Sequence, residues 1–363
     1  MALEAAQYEP IDPLATGPGA VRTAFENQTA YCRDNRAPVT ALVCAALAGL
    51  LASERGGAVM ARIRAWGGPP LADALPLRIA GGLYALHLQG AEPGLAPIYR
   101  GEAPADAVAR VASALERHEQ ALLPWLDGPP QTNEAGRSWA FAASMLWLVE
   151  QGCPAEFALF ELGSSAGINL MMDRYAFDLG GVTAGPKEAR MRIAPEWRGA
   201  PPPADPFRIV STQGCDVAPV DLIEPDQALR LRAYIWPELT ERFARMDAAV
   251  AAAREAAPRI AKRRAGDFVA EVLARPAEPG VTRMIAHSVV WQYIPAGERQ
   301  SITASMEAAG ARATAETPLA WVMLEANRDT HGHELTVRWW PGGPEPKKLA
   351  TAHPHGSWVE WDG

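Results

Sequence analysis

The sequence predicts an α/β protein, a doubly wound and mostly parallel sheet preceded by an N-terminal helical domain. Three observations carry this. The first 130 residues place apolar side chains only at helical spacing. Beyond them, short strand-like runs recur with helical stretches between several. A turn of small residues, Gly163 to Gly167, follows the first of those runs.

In the N-terminal part, VRTAFENQTAYCR, VTALVCAALAGLLASER and DAVARVASALERHEQALLPWL repeat apolar residues every three to four positions, separated by breakers at Gly67 to Pro70 and at Glu92-Pro93-Gly94. Asp127-Gly128-Pro129-Pro130 marks a boundary, which divides the chain into residues 1–130 and 131–363. A helix is expected over Glu134 to Gln151, with Thr132 or Asn133 as its N-cap. Strands are then expected at Phe157–Leu162, Arg208–Thr212, Arg259–Arg263, Thr282–Ala286, Leu319–Glu325, Glu334–Trp340 and Ser357–Trp361. Helices are expected over Gln227–Ala257, interrupted at Pro237, and over Glu298–Ala309. No helix fits between the last two strands, so they are expected to form an antiparallel pair. Residues 173–206 form an insertion with short strands of their own, YAFDL and MRIAP, ending in a Pro-rich linker, Gly199 to Pro206.

Composition narrows the function. Of 363 residues, 42 are Asp or Glu and 34 are Lys or Arg, a formal net charge of −8. Such a chain lacks the general positive field that draws nucleic acid or anionic membrane. The four cysteines include no CxxC spacing, and the reading is of reduced thiols in a cytoplasmic protein. MALEAAQYEPIDP has no secretory signal pattern, and the longest apolar run, Ala41 to Ala52, is too short to span a bilayer. No GxSxG elbow, P-loop or nucleophilic Cys–His phrase is present.

The stretch FALFELGSSAGINL, Phe157 to Leu170, is the chief functional signal. An apolar strand that ends in small residues and opens a helix, expected here over INLMMDRY, lets a ligand approach the backbone and the helix N–H groups. The same pattern also serves as a plain corner. It resembles motif I of class I S-adenosylmethionine-dependent methyltransferases, with Glu161, Gly163 and Gly167 in place and Ser165 where the middle glycine usually stands. The phrases NEAGRS, ELGSSAGINLMMDRY, GCDVAPVDL, YIWPELTERFARMDAAVA, IAHSVVWQYI and HPHGSWVEW resemble, in order and style, a bacterial family of unknown function with a methyltransferase-like Rossmann fold. The resemblance covers nearly the whole chain.

It implies S-adenosylmethionine as cofactor and a small-molecule acceptor. Cofactor contacts would come from Glu161, Gly163, Ser165 and Gly167, from Asp216 at the ribose hydroxyls, and from Asp267 at the adenine. Asp216 serves equally as a turn cap around Pro219, and Asp267 as the N-cap of the following helix. His287 would face the acceptor as a base, since histidine side chains exchange protons near neutrality; the alternative is a structural histidine bonded to a neighbouring loop. Arg137, Trp291, Tyr293, Glu325 and Asn327 are candidates for the substrate pocket. Their plainer roles are an ion pair with Glu134, aromatic core packing and a closed turn. His331-x-His333 and His353-x-His355 sit among turn residues without cysteine or HExxH companions, so no metal site is expected. The N-terminal helices are expected to act as a lid. The alternative function is a methyltransferase-like fold that binds a ligand or protein without catalysis. A dinucleotide-binding oxidoreductase fits less well, because GxGxxG is not met.

Overall fold

A computed structural model describes residues 12–327, 330, 332–343 and 345–363. The chain divides into two compact units. One runs to Thr132 and includes Leu229–Phe243; the other comprises Asn133–Ala228 and Ala244–Gly363.

The first unit is built from helices, the longest being Pro18–Asp34, Pro38–Leu50, Leu75–Leu88 and Ala107–Arg117. Phe25, Leu47, Met60, Ile79, Leu83, Val111 and Leu115 form its core. The segment Leu229–Phe243, distant in sequence, belongs to this unit for two physical reasons. Ala233 and Tyr234 are buried in the helical core, Tyr234 edge-on to Trp125 at 5.3 Å. Glu238 caps the helix Pro38–Leu50: its Oε1 accepts the N–H groups of Val39 (2.6 Å) and Thr40 (3.1 Å), two of the donors that a helix start leaves unpaired. A boundary drawn only at residue 130 misses this return of the chain.

The second unit is α/β. Its strands are β1 (Glu156–Leu162), β2 (Tyr175–Leu179), β3 (Val182–Ala184), β4 (Met191–Ile193), β5 (Glu196–Arg198), β6 (Arg208–Asp216), β7 (Ile260–Lys262), β8 (Val281–Ser288), β9 (Leu319–Asn327), β10 (Gly332–Trp340), β11 (Lys347–Ala352) and β12 (Trp358–Trp361). Nine of them form a mostly parallel sheet in the order β5-β12-β11-β10-β9-β8-β1-β6-β7. The chain starts in the middle at β1, steps outward through β6 and β7, then returns to β8 and β9 on the other side. The connections leaving β1 and β8 therefore diverge, and doubly wound sheets bind their ligands at the carboxyl ends of such a topological switch. Phe160, Phe268, Val272, Ile285, Ile302 and Met306 pack the helices Ala265–Ala274 and Ala296–Gly310 against the sheet. The helix Ser138–Glu150 is buried on nearly every side, as its apolar sequence SWAFAASMLWL requires.

Two expectations are corrected. The last two predicted strands do not pair with each other, because β11 lies between β10 and β12 and is antiparallel to both. KKLATA lacks a β-branched run, yet its Leu349, Ala350 and Ala352 are buried in the sheet. INLMMDRY is not an α-helix: Asn169–Arg174 makes a short 3-10 turn and the chain passes directly into β2. The Tyr175 hydroxyl donates to Ile168 O (2.7 Å) and the Asn169 amide to Glu161, and these bonds hold the segment in its tight turn. The insertion also supplies β5, which joins the main sheet beside β12.

Candidate functional site

The turn after β1 is closed by its own hydrogen bonds. The N–H of Ser164 donates to Cys215 O (2.9 Å), that of Ser165 to Asp216 Oδ2 (2.9 Å), that of Gly167 to Ser164 O (2.7 Å) and that of Ile168 to Asn133 Oδ1 (2.9 Å). Four of the backbone donors that the sequence offered to a ligand here are thus bonded within the protein. Each of these N–H groups is committed to the fold, so a ligand here meets side chains. Gly163 and Gly167 have φ of +63° and +67°, and Ser165 follows them into the left-handed region at +51°. A Cβ on Gly163 would lie 2.3 Å from Val290 Cγ2, so the space beside this glycine is filled by protein.

Asp216 ends β6 and reaches back to the same turn. Its second oxygen accepts the N–H of Ala218 (2.8 Å). The capping role is thus the one on view, and each oxygen retains acceptor capacity for a further donor.

Glu161, at the end of β1, is 1% exposed. Its Oε1 accepts from Asn169 Nδ2 (2.8 Å), whereas its Oε2 has no partner among the described residues. Burial pushes this carboxyl up to about 8, against the opposing effects of the Asn169 hydrogen bond and the Arg137 charge. The segment before the helix Ser138–Glu150 walls this region. Asn133 binds Ile168 N–H, Glu134 accepts from Arg245 Nε (2.7 Å), and buried Arg137 donates Nε to Pro354 O (2.8 Å). Arg137 therefore has a structural contact to the chain near its end, besides acting on Glu161.

On the neighbouring strand, His287 ends β8 at 0% exposure. Its Nδ1 lies 2.7 Å from Glu325 Oε1, which also accepts Val290 N–H (3.1 Å). That oxygen is the acceptor, so Nδ1 carries the proton and Nε2 is left buried without a partner. Trp291 stacks on the imidazole (4.9 Å, 13°), and Trp321 closes another side (6.1 Å). Between them Val289 adopts φ +55°, a strained conformation for a β-branched residue, with its N–H bonded to Leu324 O.

The register of β1 and β8 sets Glu161 opposite Ala286 and Leu162 opposite His287. Among the described residues, three buried polar atoms without partners belong to the end of β1 and the segment after it, Glu161 Oε2, Ser165 Oγ and Asn169 Oδ1; a fourth, His287 Nε2, belongs to the end of β8, where pairing with Leu162 puts the side chain on the sheet face opposite that of Glu161. Native interiors leave few such atoms, and each marks a place where a ligand or water completes the bonding. Asn169 was missed by sequence reasoning, although a lone amide inside INLMM is a signal of a buried polar contact.

The other candidates lie apart from these atoms. Asp267 is exposed inside the helix Ala265–Ala274 and does not cap it; Arg264 holds the N-cap position, and Glu298 Oε1 accepts Gly266 N–H (2.9 Å) instead. Tyr293 is 72% exposed. Asn327 donates to Glu334 Oε2 (3.0 Å) across β9 and β10. His331 lies outside the described residues, and His353 accepts the N–H of His355 at Nδ1 (3.1 Å). Among the described residues, no group of three or more His, Cys, Asp and Glu is placed to hold a metal ion, and no helix is long and apolar enough to cross a membrane.

No curated protein and no solved structure matches the chain. One family profile does, over residues 22–361, and the chain belongs to that family, described as an uncharacterized protein conserved in bacteria, DUF2332.

Proposed function

We propose that this protein binds S-adenosylmethionine at the carboxyl ends of β1 and β8 and directs its methyl group to a small acceptor. The observation that carries the reading is the buried set Glu161 Oε2, Ser165 Oγ and Asn169 Oδ1, without partners among the described residues, together with a turn in which the N–H groups of Ser164, Ser165 and Gly167 are already bonded. A dinucleotide needs free N–H groups for its pyrophosphate. A ligand rich in cationic and hydroxyl donors suits carboxyl and amide acceptors. Glu161 would hold the ammonium end, which favours the ionised carboxylate that burial otherwise disfavours. Asp216 would take the ribose hydroxyls with the acceptor capacity left on its oxygens. When bound, the cofactor supplies an electrophilic methyl group. The protein orients the acceptor, and His287 Nε2 accepts its proton while Glu325 holds the imidazole.

A second reading is a fold of this type that binds its ligand without catalysis. The double use of Asp216 by the backbone favours it.

Calorimetry with S-adenosylmethionine, its demethylated product and NAD tests the proposal. The first two are expected to bind, with proton release near neutral pH as Glu161 ionises, and NAD is not. His287→Gln is expected to keep cofactor binding and lose turnover of any acceptor found. Binding of NAD without binding of S-adenosylmethionine would refute the assignment, and cofactor binding without turnover across an acceptor panel would favour the second reading.

A further inference from the structure

A separate pocket of about 150 Å³ opens at the amino ends of β8 and β9, the opposite end of these strands from His287 and Glu325. Arg275, Arg283, Arg312 and Thr317 line it, with Leu273 and Pro318 among its apolar wall. Three guanidinium groups at one small cavity is an unusual charge arrangement in a chain of net charge −8. No carboxylate lines the cavity. Arg275 pairs with Glu271 (2.7 Å), but Glu271 is shared with Arg263 (3.0 Å). Arg283 donates Nη2 only to the carbonyls of Arg275 (3.0 Å) and Pro276 (2.7 Å), and Arg312 donates Nη1 only to Ala308 O (2.7 Å). Among the described residues neither has an acidic partner, and both keep unused donors.

We propose that this pocket is an oxyanion site that takes one phosphate group through Arg275, Arg283 and Arg312. Its volume is below that of pockets for drug-sized ligands and suits a single tetrahedral anion or the phosphate end of a small metabolite. Guanidinium forks match the oxygen geometry of phosphate, and apolar walls strengthen the attraction by excluding water. Burial, and then the charge of Arg275, pull Arg283 below its ordinary value, so an anion between them relieves a repulsion present without it. The Thr317 hydroxyl, which shares a hydrogen bond with Thr314 Oγ1 (2.9 Å), adds a further polar group at the cavity. The site stands independently of the one proposed at the carboxyl ends.

The test is calorimetry on the full chain at constant ionic strength, with inorganic phosphate, glycerol 3-phosphate and chloride. Saturable binding of either phosphate compound is expected, tighter for glycerol 3-phosphate if the natural ligand is a phosphorylated metabolite and tighter for phosphate if it is the free ion. Arg312→Gln, an exposed change that leaves the fold intact, and Arg283→Gln are each expected to weaken binding about tenfold or more. Arg22→Gln, on the helix Pro18–Asp34, is expected to change nothing. Phosphate binding no stronger than chloride, or equal weakening in Arg22→Gln and Arg312→Gln, would overturn the proposal.

Discussion

The carboxylate of Asp216 accepts the backbone N–H of Ser165 at 2.9 Å, across the ends of β6 and β1, while Ser165 sits at φ +51°. A serine thus occupies a left-handed position that favours glycine, and a carboxylate on the next strand holds it there. Ser165 O completes the clasp by accepting Val220 N–H (3.1 Å). Ser165→Gly is therefore expected to leave stability unchanged or raise it by up to about 1 kcal/mol. Asp216→Ala should cost about 1–3 kcal/mol, because two N–H groups lose their acceptor. Urea denaturation without ligand separates the two outcomes. A drop in cofactor affinity in Asp216→Ala would not by itself identify a ribose contact, since the turn moves as well.

The glycine two residues earlier is under a different constraint. Any side chain at 163 meets Val290 and adopts an unfavourable φ. Gly163→Ala is expected to destabilise the protein by roughly 1–3 kcal/mol. Combining it with Val290→Ala should recover part of that loss, the part due to contact and not to backbone strain. A thermodynamic cycle over the four proteins measures the coupling, and strict additivity would show that Val290 is not the obstacle.

Glu161 predicts a pH dependence of stability. Its folded-state value of about 8 lies above the ordinary carboxyl range. Below about pH 4 both folded and unfolded chains hold the proton, and Glu161 imposes no penalty. As pH rises toward 8 the unfolded chain ionises freely and the folded chain resists, so stability falls across that window and levels off above it. Glu161→Gln should flatten this part of the profile and stabilise the protein at pH 8–9 by roughly 2–5 kcal/mol. Chemical denaturation at several pH values reads the difference; parallel profiles would show that Glu161 ionises without penalty.

Deletion through Thr132 would remove the partners of the segment Leu229–Phe243. Tyr234 loses Trp125, and Glu238 loses the helix start that it caps. Such a chain is expected to aggregate, whereas one in which residues 229–243 are also replaced by a Gly/Ser linker should be more soluble. Size-exclusion chromatography with circular dichroism distinguishes them, and a monodisperse first variant would show that the segment folds without those helices.

Much of the architecture was legible in the chain because local pattern reflects burial. β1, β8 and β9 are covered on both faces, so they read as continuous apolar runs, and the helices between them show as amphipathic stretches. Glu161, Gly163 and Gly167 stood out because strand, acid and glycines are contiguous. Asn169 and Val290 did not, since their importance lies in what they touch across the fold.

The sequence by itself determined an α/β chain with a mostly parallel sheet, and a cluster of small residues after its first apolar strand. Tertiary structure alone decided that Asn169 turns back to Glu161, that Glu325 from β9 holds His287 from β8, that β11 separates the last two predicted strands, and that Leu229–Phe243 returns to the helices. The reason is physical. Periodicity records which face of an element is buried, a local property of a few neighbouring residues. Hydrogen-bond partners 8 to 217 residues apart are chosen by which strand ends and turns the completed fold brings within bonding reach, and no local pattern encodes that choice.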